Sequence, residues 1–349
     1  MPDSPRERPS TDSAVPIYDV VADYLGLMDD SAVAILPHAL RIVDELGVPA
    51  ALADGPCSLE CLAGVASADP DRLRRLLRAL TSVGFFSEDD DGINLTALGR
   101  RLLPSHPAGV AESLHNLESF RAWHEGAAAV RSGRASFDDV YGADFFEHKD
   151  VEVAANRAFQ QRMHERAERL YPRMAEAVDW RRSTTVMDLG GGGGHVLARV
   201  LERAPHVSGV VLDRPAVIAV TEQRRGDLPA RVSLVAGNFF DAVPPGADTH
   251  LLCSVLHDWT DDQVVEILRA SSRGLPPAGR VLIVEMLVPD DDGSHPSKWS
   301  DLGMMILTGG RERTLAEFAR LLDRAGFGVP SVHVVPDSAF SVLEATPPA

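Results

Sequence analysis

Short apolar runs alternate with segments of helical periodicity from residue 181 to the end of the chain. The apolar runs predict strands over residues 207–213, 232–236, 249–255 and 280–288. The helical pattern predicts helices over 261–273 and 314–325, and the runs 332–336 and 340–344 predict a terminal antiparallel pair. Such alternation is typical of an α/β fold, with a Rossmann-like, mostly parallel sheet and helices on both of its faces.

The first part of the chain is predicted to be mainly helical. Apolar residues recur at helical spacing over 31–46 and cover more than one face, so this helix is expected to pack against its own domain and against a second subunit. Ser58 and Asp69 are typical N-cap residues and predict the starts of two further helices. The runs 84–87 and 93–96 flank an acidic turn and predict a β-hairpin, the wing of a winged-helix domain.

Two other stretches complete the N-terminal part. Residues 1–14 are rich in proline, serine and charge, and they are expected to form a disordered tail. Residues 110–180 are predicted to be mostly helical and are unusually rich in aromatic side chains. Each aromatic residue alone is more often part of a core, but together they are also suited to line a pocket for a flat apolar molecule.

Composition limits the classes of partner. The formal net charge of −17 argues against DNA, RNA or an anionic membrane as the main partner. No signal peptide and no apolar run of membrane-spanning length are found, so a cytoplasmic location is expected. The three cysteines, Cys57, Cys61 and Cys253, are expected to be free thiols in a reducing compartment, without a disulfide framework and without a metal.

A glycine-rich turn predicts a nucleotide-binding site. The β-prone run 184–187 is followed by an acid, five consecutive glycines and an amphipathic helix pattern. The dinucleotide spacing G-x-G-x-x-G fails in both possible frames, whereas D-x-G-x-G-x-G fits Asp188, Gly190, Gly192 and Gly194. This spacing resembles that of S-adenosylmethionine (SAM) methyltransferases. The alternative, a glycine-rich surface loop, is disfavoured because the glycines lie directly between a strand and a helix.

Further polar residues lie at or near the ends of later predicted strands. Asp213 ends the second strand, about 20 residues after the glycine turn, where βαβ units place an acid that binds ribose. His257 follows the fourth strand, although a lone histidine is more often an ordinary surface or core residue. Glu285 stands alone in an otherwise apolar strand and needs a partner, while Glu312 precedes a helix and is alternatively an acid beside its macrodipole.

The order and spacing of these motifs resemble the SAM-dependent O-methyltransferases of the plant caffeate and flavonoid type, and their bacterial relatives that modify aromatic antibiotics. The segments that carry the resemblance are 190–195, 212–215, 237–240, 256–259, Glu285 and 309–314. The resemblance covers nearly the whole chain. It implies that His257 is the general base and that Glu285 and Glu312 orient it. No metal is expected at the site.

The resemblance also assigns binding residues. Asp188, Gly190, Gly192, Asp213, Asn238, Phe239, Ser254 and Trp259 are assigned to SAM, and Phe159, Met163, Asp258 and Met304 are assigned to the acceptor. Two positions depart from the family pattern. Asn238 replaces the usual aspartate beside adenine, and the pocket-shaping segment 301–307 is plain and apolar, so the resemblance does not identify the acceptor.

The sequence therefore predicts a homodimeric, SAM-dependent O-methyltransferase that acts on a phenolic small molecule. Residues 15–180 are predicted to be the dimerisation and substrate-pocket domain, and residues 181–349 the SAM-binding catalytic domain. One alternative is another SAM-assisted reaction on the same fold, such as hydroxylation or decarboxylation. A second is a non-enzymatic, small-molecule-binding regulator built on the winged helix. DNA binding by that domain is not expected.

Overall fold

The N-terminal helices pack around one apolar core in the computed structural model, which describes residues 30–104, 106, 109, 117–171 and 173–347. The predicted tail, residues 1–14, lies outside these residues. Contacts divide the chain into two units, residues 1–117 and 118–349. The division of function at residue 180 stays a prediction.

The first unit contains the helices and the hairpin that the sequence predicts. Its elements are α1 (Asp30–Glu45), α2 (Val48–Ala51), α3 (Leu59–Ala66), α4 (Pro70–Ser82), β1 (Phe86–Asp89), β2 (Gly92–Leu95) and a 3₁₀ turn (Gly99–Leu102). Ser58 accepts a hydrogen bond from the Cys61 backbone N–H, and Asp69 accepts one from that of Arg72, so both predicted N-caps are confirmed. The strands β1 and β2 pair antiparallel, as expected for a wing.

The expectation of free thiols is wrong for two of the three cysteines. Cys57 and Cys61 form a disulfide, and only Cys253 is free. Cys57 directly precedes the N-cap of α3 and Cys61 lies in the first turn of that helix, so the fold brings their Cα atoms to 6.2 Å. This separation is within the range that a disulfide spans. Spacing in the sequence does not reveal it, because it depends on where the helix begins.

The second unit begins with a helical segment. Its elements are α5 (Leu117–His124), α6 (Gly126–Ser132), α7 (Ser136–Tyr141), α8 (Phe145–Val151), α9 (Val153–Leu170) and two 3₁₀ turns (Met174–Glu176 and Trp180–Arg182). Several of the aromatic residues noted in the sequence form a small apolar cluster. Phe137 and Phe145 are buried in it, with Tyr141, Phe146 and Phe159 packed against it.

A seven-stranded sheet follows and confirms the predicted α/β architecture. Its strands are β3 (Thr185–Leu189), β4 (Ser208–Asp213), β5 (Val232–Ala236), β6 (Thr249–Cys253), β7 (Arg280–Met286), β8 (Ser331–Val334) and β9 (Phe340–Ala345). They are arranged in the order β5-β4-β3-β6-β7-β9-β8. The first five are parallel, and β9 pairs antiparallel with both β7 and β8.

Helices and short turns connect these strands. They are α10 (His195–Arg203), α11 (Pro215–Glu222), α12 (Asp261–Gly274), α13 (Pro296–Leu307), α14 (Leu315–Arg324) and the 3₁₀ turns Arg225–Asp227 and Leu256–Asp258. Two apolar clusters contain side chains from the strands and these helices. Within the residues that the structure describes, no helix is long and apolar enough to cross a membrane.

Two strands end earlier than their apolar runs. β6 was expected to reach residue 255 but ends at Cys253, because Ser254 has a φ of +51° and the chain then enters the 3₁₀ turn Leu256–Asp258. β7 ends at Met286, although the predicted run extends to residue 288. Apolar character continues past both strands: Val255 and Leu256 are buried, and Leu287 and Val288 are partly buried. The early end of β6 turns the chain just before His257.

Candidate active site

The glycine turn follows β3 with alternating left-handed residues. Gly190, Gly192 and Gly194 have φ angles of +74°, +55° and +75°, a conformation that residues with a Cβ atom rarely adopt. A Cβ atom on Gly190 would also lie 3.1 Å from a methyl carbon of Val255. The three positions are the ones that the D-x-G-x-G-x-G spacing selects, so bare backbone is required where the sequence places glycine.

Asp213 ends β4 and reaches the glycine turn. One carboxylate oxygen accepts the Gly192 backbone N–H at 2.8 Å, and the other accepts the Arg214 backbone N–H at 2.7 Å. Burial raises the pKa of Asp213, and these two backbone donors oppose that rise. The structure therefore brings Asp213 and Gly192 together, as their predicted shared role in SAM binding requires.

Buried polar atoms without partners surround the same turn. Asp188 is 1% exposed, and its Oδ1 has no hydrogen-bond partner among the described residues. The same holds for Gln160 Oε1 and His164 Nδ1 on α9. Burial, together with the charge of Asp213, raises the pKa of Asp188 to about 7. An unpaired buried acid is costly, and the amino group of a ligand that ends in an amino acid, as SAM does, would satisfy it. The residues present therefore fit SAM.

Aromatic rings collect where adenine is predicted. The ring centroid of Trp259 lies 6.1 Å from that of Phe239 and 4.8 Å from that of Phe240, and Trp259 stacks on Phe146 at 5.3 Å. Asn238 is exposed, and its side-chain oxygen accepts the Phe240 backbone N–H at 3.0 Å. The side-chain amide nitrogen of Asn238 is the group suited to donate a hydrogen bond to a ligand. Contact of these residues with adenine stays a prediction.

His257 lies between two buried carboxylates. Its Nδ1 is 2.9 Å from Glu312 Oε1 and 3.3 Å from Glu285 Oε2, and its side chain is 7% exposed. The other oxygen of Glu285 accepts backbone N–H groups at the start of the base-bearing turn, the segment 255–259: those of Val255 at 3.1 Å and Leu256 at 2.9 Å. The lone acid in β7 thus has the partners that the sequence requires of it. With Nδ1 facing carboxylates, Nε2 is the nitrogen left for other chemistry.

The carboxylates shift the proton equilibrium of His257. Burial lowers its pKa, but the charges of Glu285, Asp258 and Glu312 outweigh burial and raise it to about 10. Burial raises the pKa of Glu285 to about 7. Burial acts in the same direction on Glu312, but the hydrogen bond from His257 and the imidazolium charge lower its pKa further than burial raises it. The network therefore favours an imidazolium paired with an ionised Glu312.

The predicted acceptor residues lie on α9, on α13 and in the base-bearing turn, and one of them is close to the base. Asp258 does lie near it, with Oδ1 4.0 Å from His257 Nε2, and burial raises the pKa of Asp258 to about 6. The ring of Phe159 lies 5.4 Å from that of Phe145. Met163 and Met304 are half-buried on α9 and α13. Their contact with an acceptor stays a prediction.

Other contacts were not foreseen from the sequence. Ser254, predicted to bind SAM, has its hydroxyl 2.5 Å from that of buried Tyr171. Ser300 donates a hydrogen bond to Glu312 Oε1 at 2.7 Å, and Asp301 accepts the Glu312 backbone N–H at 2.8 Å. Ser300 and Asp301 lie at or beside the segment considered plain. Serine and aspartate are ordinary on a partly exposed helix, so the sequence carries no signal for these two contacts.

The ligand atoms of His257, Glu285 and Glu312 lie within 4.8 Å of one another, close enough to hold a metal ion. The 2.9 Å contact between Nδ1 and Glu312 is instead an ordinary hydrogen-bond distance, and a shared proton satisfies it. The three side chains are also buried, and one oxygen of Glu285 is already occupied by hydrogen bonds from backbone N–H groups. We therefore keep the prediction of a site without a metal and test it below.

The glycine turn, the acid of β4 and the base-bearing turn meet at the carboxyl ends of parallel strands, an arrangement that defines a SAM-dependent methyltransferase. Comparisons agree. Residues 123–328 match the O-methyltransferase domain, and residues 30–105 match the O-methyltransferase dimerisation domain. The mitomycin biosynthesis 6-O-methyltransferase of Streptomyces lavendulae is 36% identical over 300 residues, which are 84% of this chain and 85% of that protein. The chain therefore belongs to the O-methyltransferase family.

Solved structures agree with this assignment. The mitomycin 7-O-methyltransferase MmcR has a TM-score of 0.84 at 32% identity, with 95% of this chain and 100% of that chain covered. NcsB1, an O-methyltransferase from neocarzinostatin biosynthesis, was solved in complex with SAM and 2-hydroxy-5-methyl naphthoic acid. It has a TM-score of 0.79 at 31% identity, with 93% and 98% covered. SAM is accordingly the cofactor of this O-methyltransferase.

Proposed function

We propose that the protein transfers a methyl group to a phenolic hydroxyl of an aromatic small molecule, with His257 as the general base. The observation that carries the proposal is the environment of the imidazole. Glu312 and Glu285 hold Nδ1, which orients Nε2 as the basic nitrogen, and the imidazole is nearly excluded from water. The partly buried ring of Phe159, packed against the apolar cluster that contains Phe145, offers an apolar surface suited to a flat acceptor.

The carboxylates bring the pKa of His257 close to that of a phenol. The ordinary pKa values of imidazole and phenol differ by about 3.5 units, so proton transfer to an unassisted histidine is uphill by roughly 5 kcal/mol. A His257 pKa of about 10 removes most of that difference. When bound, SAM supplies an electrophilic methyl group carried on a sulfonium. Asp213 and the glycine turn are suited to hold its nucleoside and amino-acid ends, while Glu312 stabilises the imidazolium once Nε2 has taken the phenolic proton.

Mass spectrometry of reaction products tests this function. We expect a phenolic library incubated with the protein and SAM to yield acceptors that gain one methyl group, with and without EDTA. Products that gain an oxygen atom or lose a carboxyl group would support the alternative SAM-assisted reactions. Transfer that disappears with EDTA would contradict the metal-free site. A protein that binds phenols but never modifies them would favour a regulator.

A homodimer is part of the proposal. The apolar side chains of Ile35 and Ile42 on α1 are 58% and 41% exposed within a domain that matches a dimerisation family. A second copy would bury such exposed apolar surface, as the sequence pattern of α1 predicts. Light scattering at micromolar concentration tests it. The cytoplasmic location and the absence of nucleic-acid and membrane partners stay predictions.

The pH dependence of the reaction is expected to show the effect of the carboxylates on the pKa of His257. Because Glu285 favours the imidazolium, we expect kcat/KM to rise with pH through a limb above the ordinary histidine value of about 6.5. Glu285→Gln keeps an oxygen for the backbone N–H groups but removes the charge, so it should move this limb to lower pH. Rates at saturating SAM across the neutral and alkaline range measure it. Exposed Glu266→Gln is the control, and an unmoved limb in Glu285→Gln contradicts the assignment.

A further inference from the structure

Arg313 is a fully buried cation to which the reaction described above gives no role. Its guanidinium donates hydrogen bonds to the backbone carbonyl oxygens of Leu256 at 2.9 Å and Trp259 at 2.7 Å. Its Nε donates to the Asp261 carboxylate at 2.9 Å, and its side chain is 0% exposed. The two carbonyls belong to the residues on either side of the His257–Asp258 pair. One planar group therefore holds both ends of the base-bearing turn.

Neighbours of Arg313 hold the same turn. The Arg311 backbone N–H donates to the His257 carbonyl oxygen at 2.8 Å. A Cβ atom on Gly310 would lie 2.1 Å from that oxygen, so only glycine lets the two segments approach. The backbone of Arg313 is itself fixed, because its carbonyl oxygen accepts the Val288 N–H just beyond the end of β7. The carbonyl side of the turn is thus held by residues 310–313.

The N–H side of the turn is held separately by Glu285. The backbone is consequently fixed from both sides, and the direction of the His257 side chain follows from it. Arginine suits the carbonyl side because its rigid fork donates to several acceptors in one plane, whereas a lysine ammonium is a point charge that cannot reproduce that pattern. Removing the fork would leave the Leu256 and Trp259 carbonyls free to rotate.

We infer that Arg313 is a positioning residue that acts on methyl transfer through His257, by fixing the backbone turn that aims its imidazole. The inference rests on the proposed role of His257 as general base. Arg313 acts on the backbone of the turn, since its hydrogen bonds go to the carbonyl oxygens of Leu256 and Trp259 and to the Asp261 carboxylate. Its removal should therefore lower kcat far more than it weakens SAM binding, to which the ring of Trp259 is predicted to contribute.

The first test is Arg313→Lys, which keeps the positive charge but loses the planar fork. We expect kcat to fall by on the order of 10²-fold, since a small misplacement of a catalytic group has effects of that size. The dissociation constant of SAM, measured by calorimetry, should change far less than kcat. Arg324→Lys is the matched control, because Arg324 pairs with Asp262, the neighbour of Asp261 on α12, but its side chain is 47% exposed whereas that of Arg313 is fully buried. A wild-type kcat in folded Arg313→Lys overturns the inference.

A double substitution separates this inference from the proposed function. If Arg313 acts through His257, Arg313→Lys should cost no further activity in a His257→Ala background. Equal fold-losses in both backgrounds would mean a general structural role and would overturn the inference. A fully active His257→Ala would instead refute the proposed base.

A milder variant decides the question if Arg313→Lys does not fold. Asp261→Asn weakens the hold on the guanidinium at a half-exposed position, and kcat should fall roughly 3- to 10-fold, the effect of one weakened hydrogen bond. The affinity for SAM should again change less than kcat. An unchanged kcat, or a loss that persists in the His257→Ala background, counts against Arg313 as a positioning residue.

Discussion

Replacing His257 with alanine is expected to lower kcat by about 10²- to 10⁴-fold, the range that a positioned general base contributes. The reason is the proton balance of the acceptor. A phenolic oxygen attacks the methyl group readily only as its own proton leaves. Nε2 is available to take that proton, because Glu312 and Glu285 contact Nδ1 instead. The affinity for SAM should remain near that of the wild-type protein, because the glycine turn and Asp213 are untouched.

Two controls separate loss of a base from loss of structure. His206→Ala removes another imidazole, an exposed one near the Trp180 carbonyl oxygen, and should be fully active. Added imidazole should restore part of the activity of His257→Ala, since a small base can enter the space that the side chain leaves. Turnover of His257→Ala equal to that of the wild-type protein would show that proximity alone suffices.

The fold was predictable because its signals are local. The run of apolar residues in β7 and the capped starts of α3 and α4 depend on a few neighbouring positions, and the structure confirms each of them. Where strands end depends on less local events. β6 stops because Ser254 adopts a left-handed conformation before the 3₁₀ turn, and an apolar pattern does not encode that change.

The site was predictable where a residue conflicts with its surroundings. Glu285 is an acid in a buried strand, which predicts that it has a polar partner. The structure provides His257 and backbone N–H groups of the base-bearing turn as its partners. Arg313 and Ser300 gave no such signal. Arginine and serine are ordinary in a loop and on a helix, and their roles arise only when 310–313 and α13 are packed against the base-bearing turn.

The disulfide between Cys57 and Cys61 shows a further limit of spacing arguments. From the separation of four residues alone, two independent thiols are expected. The bond forms because Cys57 precedes the helix and Cys61 lies in its first turn, which places both side chains at one helix end. The position of a helix start relative to a cysteine is a tertiary detail that cysteine counts cannot supply.

Replacing Asp213 with asparagine is expected to weaken SAM binding by about 10- to 150-fold, the loss of one or more hydrogen bonds to a charged acceptor. Asp213 is buried beside the glycine turn, with its two oxygens oriented by the N–H groups of Gly192 and Arg214. Both oxygens retain further lone pairs, which are suited to the two hydroxyls of a ribose. Calorimetry with SAM and with its demethylated product should show the same loss, because the ribose is common to both.

The ligand itself provides the decisive control. The test uses an analogue of the demethylated product that lacks both ribose hydroxyls. If Asp213 binds ribose, this analogue should bind the wild-type protein weakly, and Asp213→Asn should not weaken its binding further. Asp241→Asn, an exposed acid shortly after β5, should leave every affinity unchanged. If the analogue loses affinity equally in Asp213→Asn and in the wild-type protein, the carboxylate serves only to hold Gly192, and the ribose must be bound by other residues.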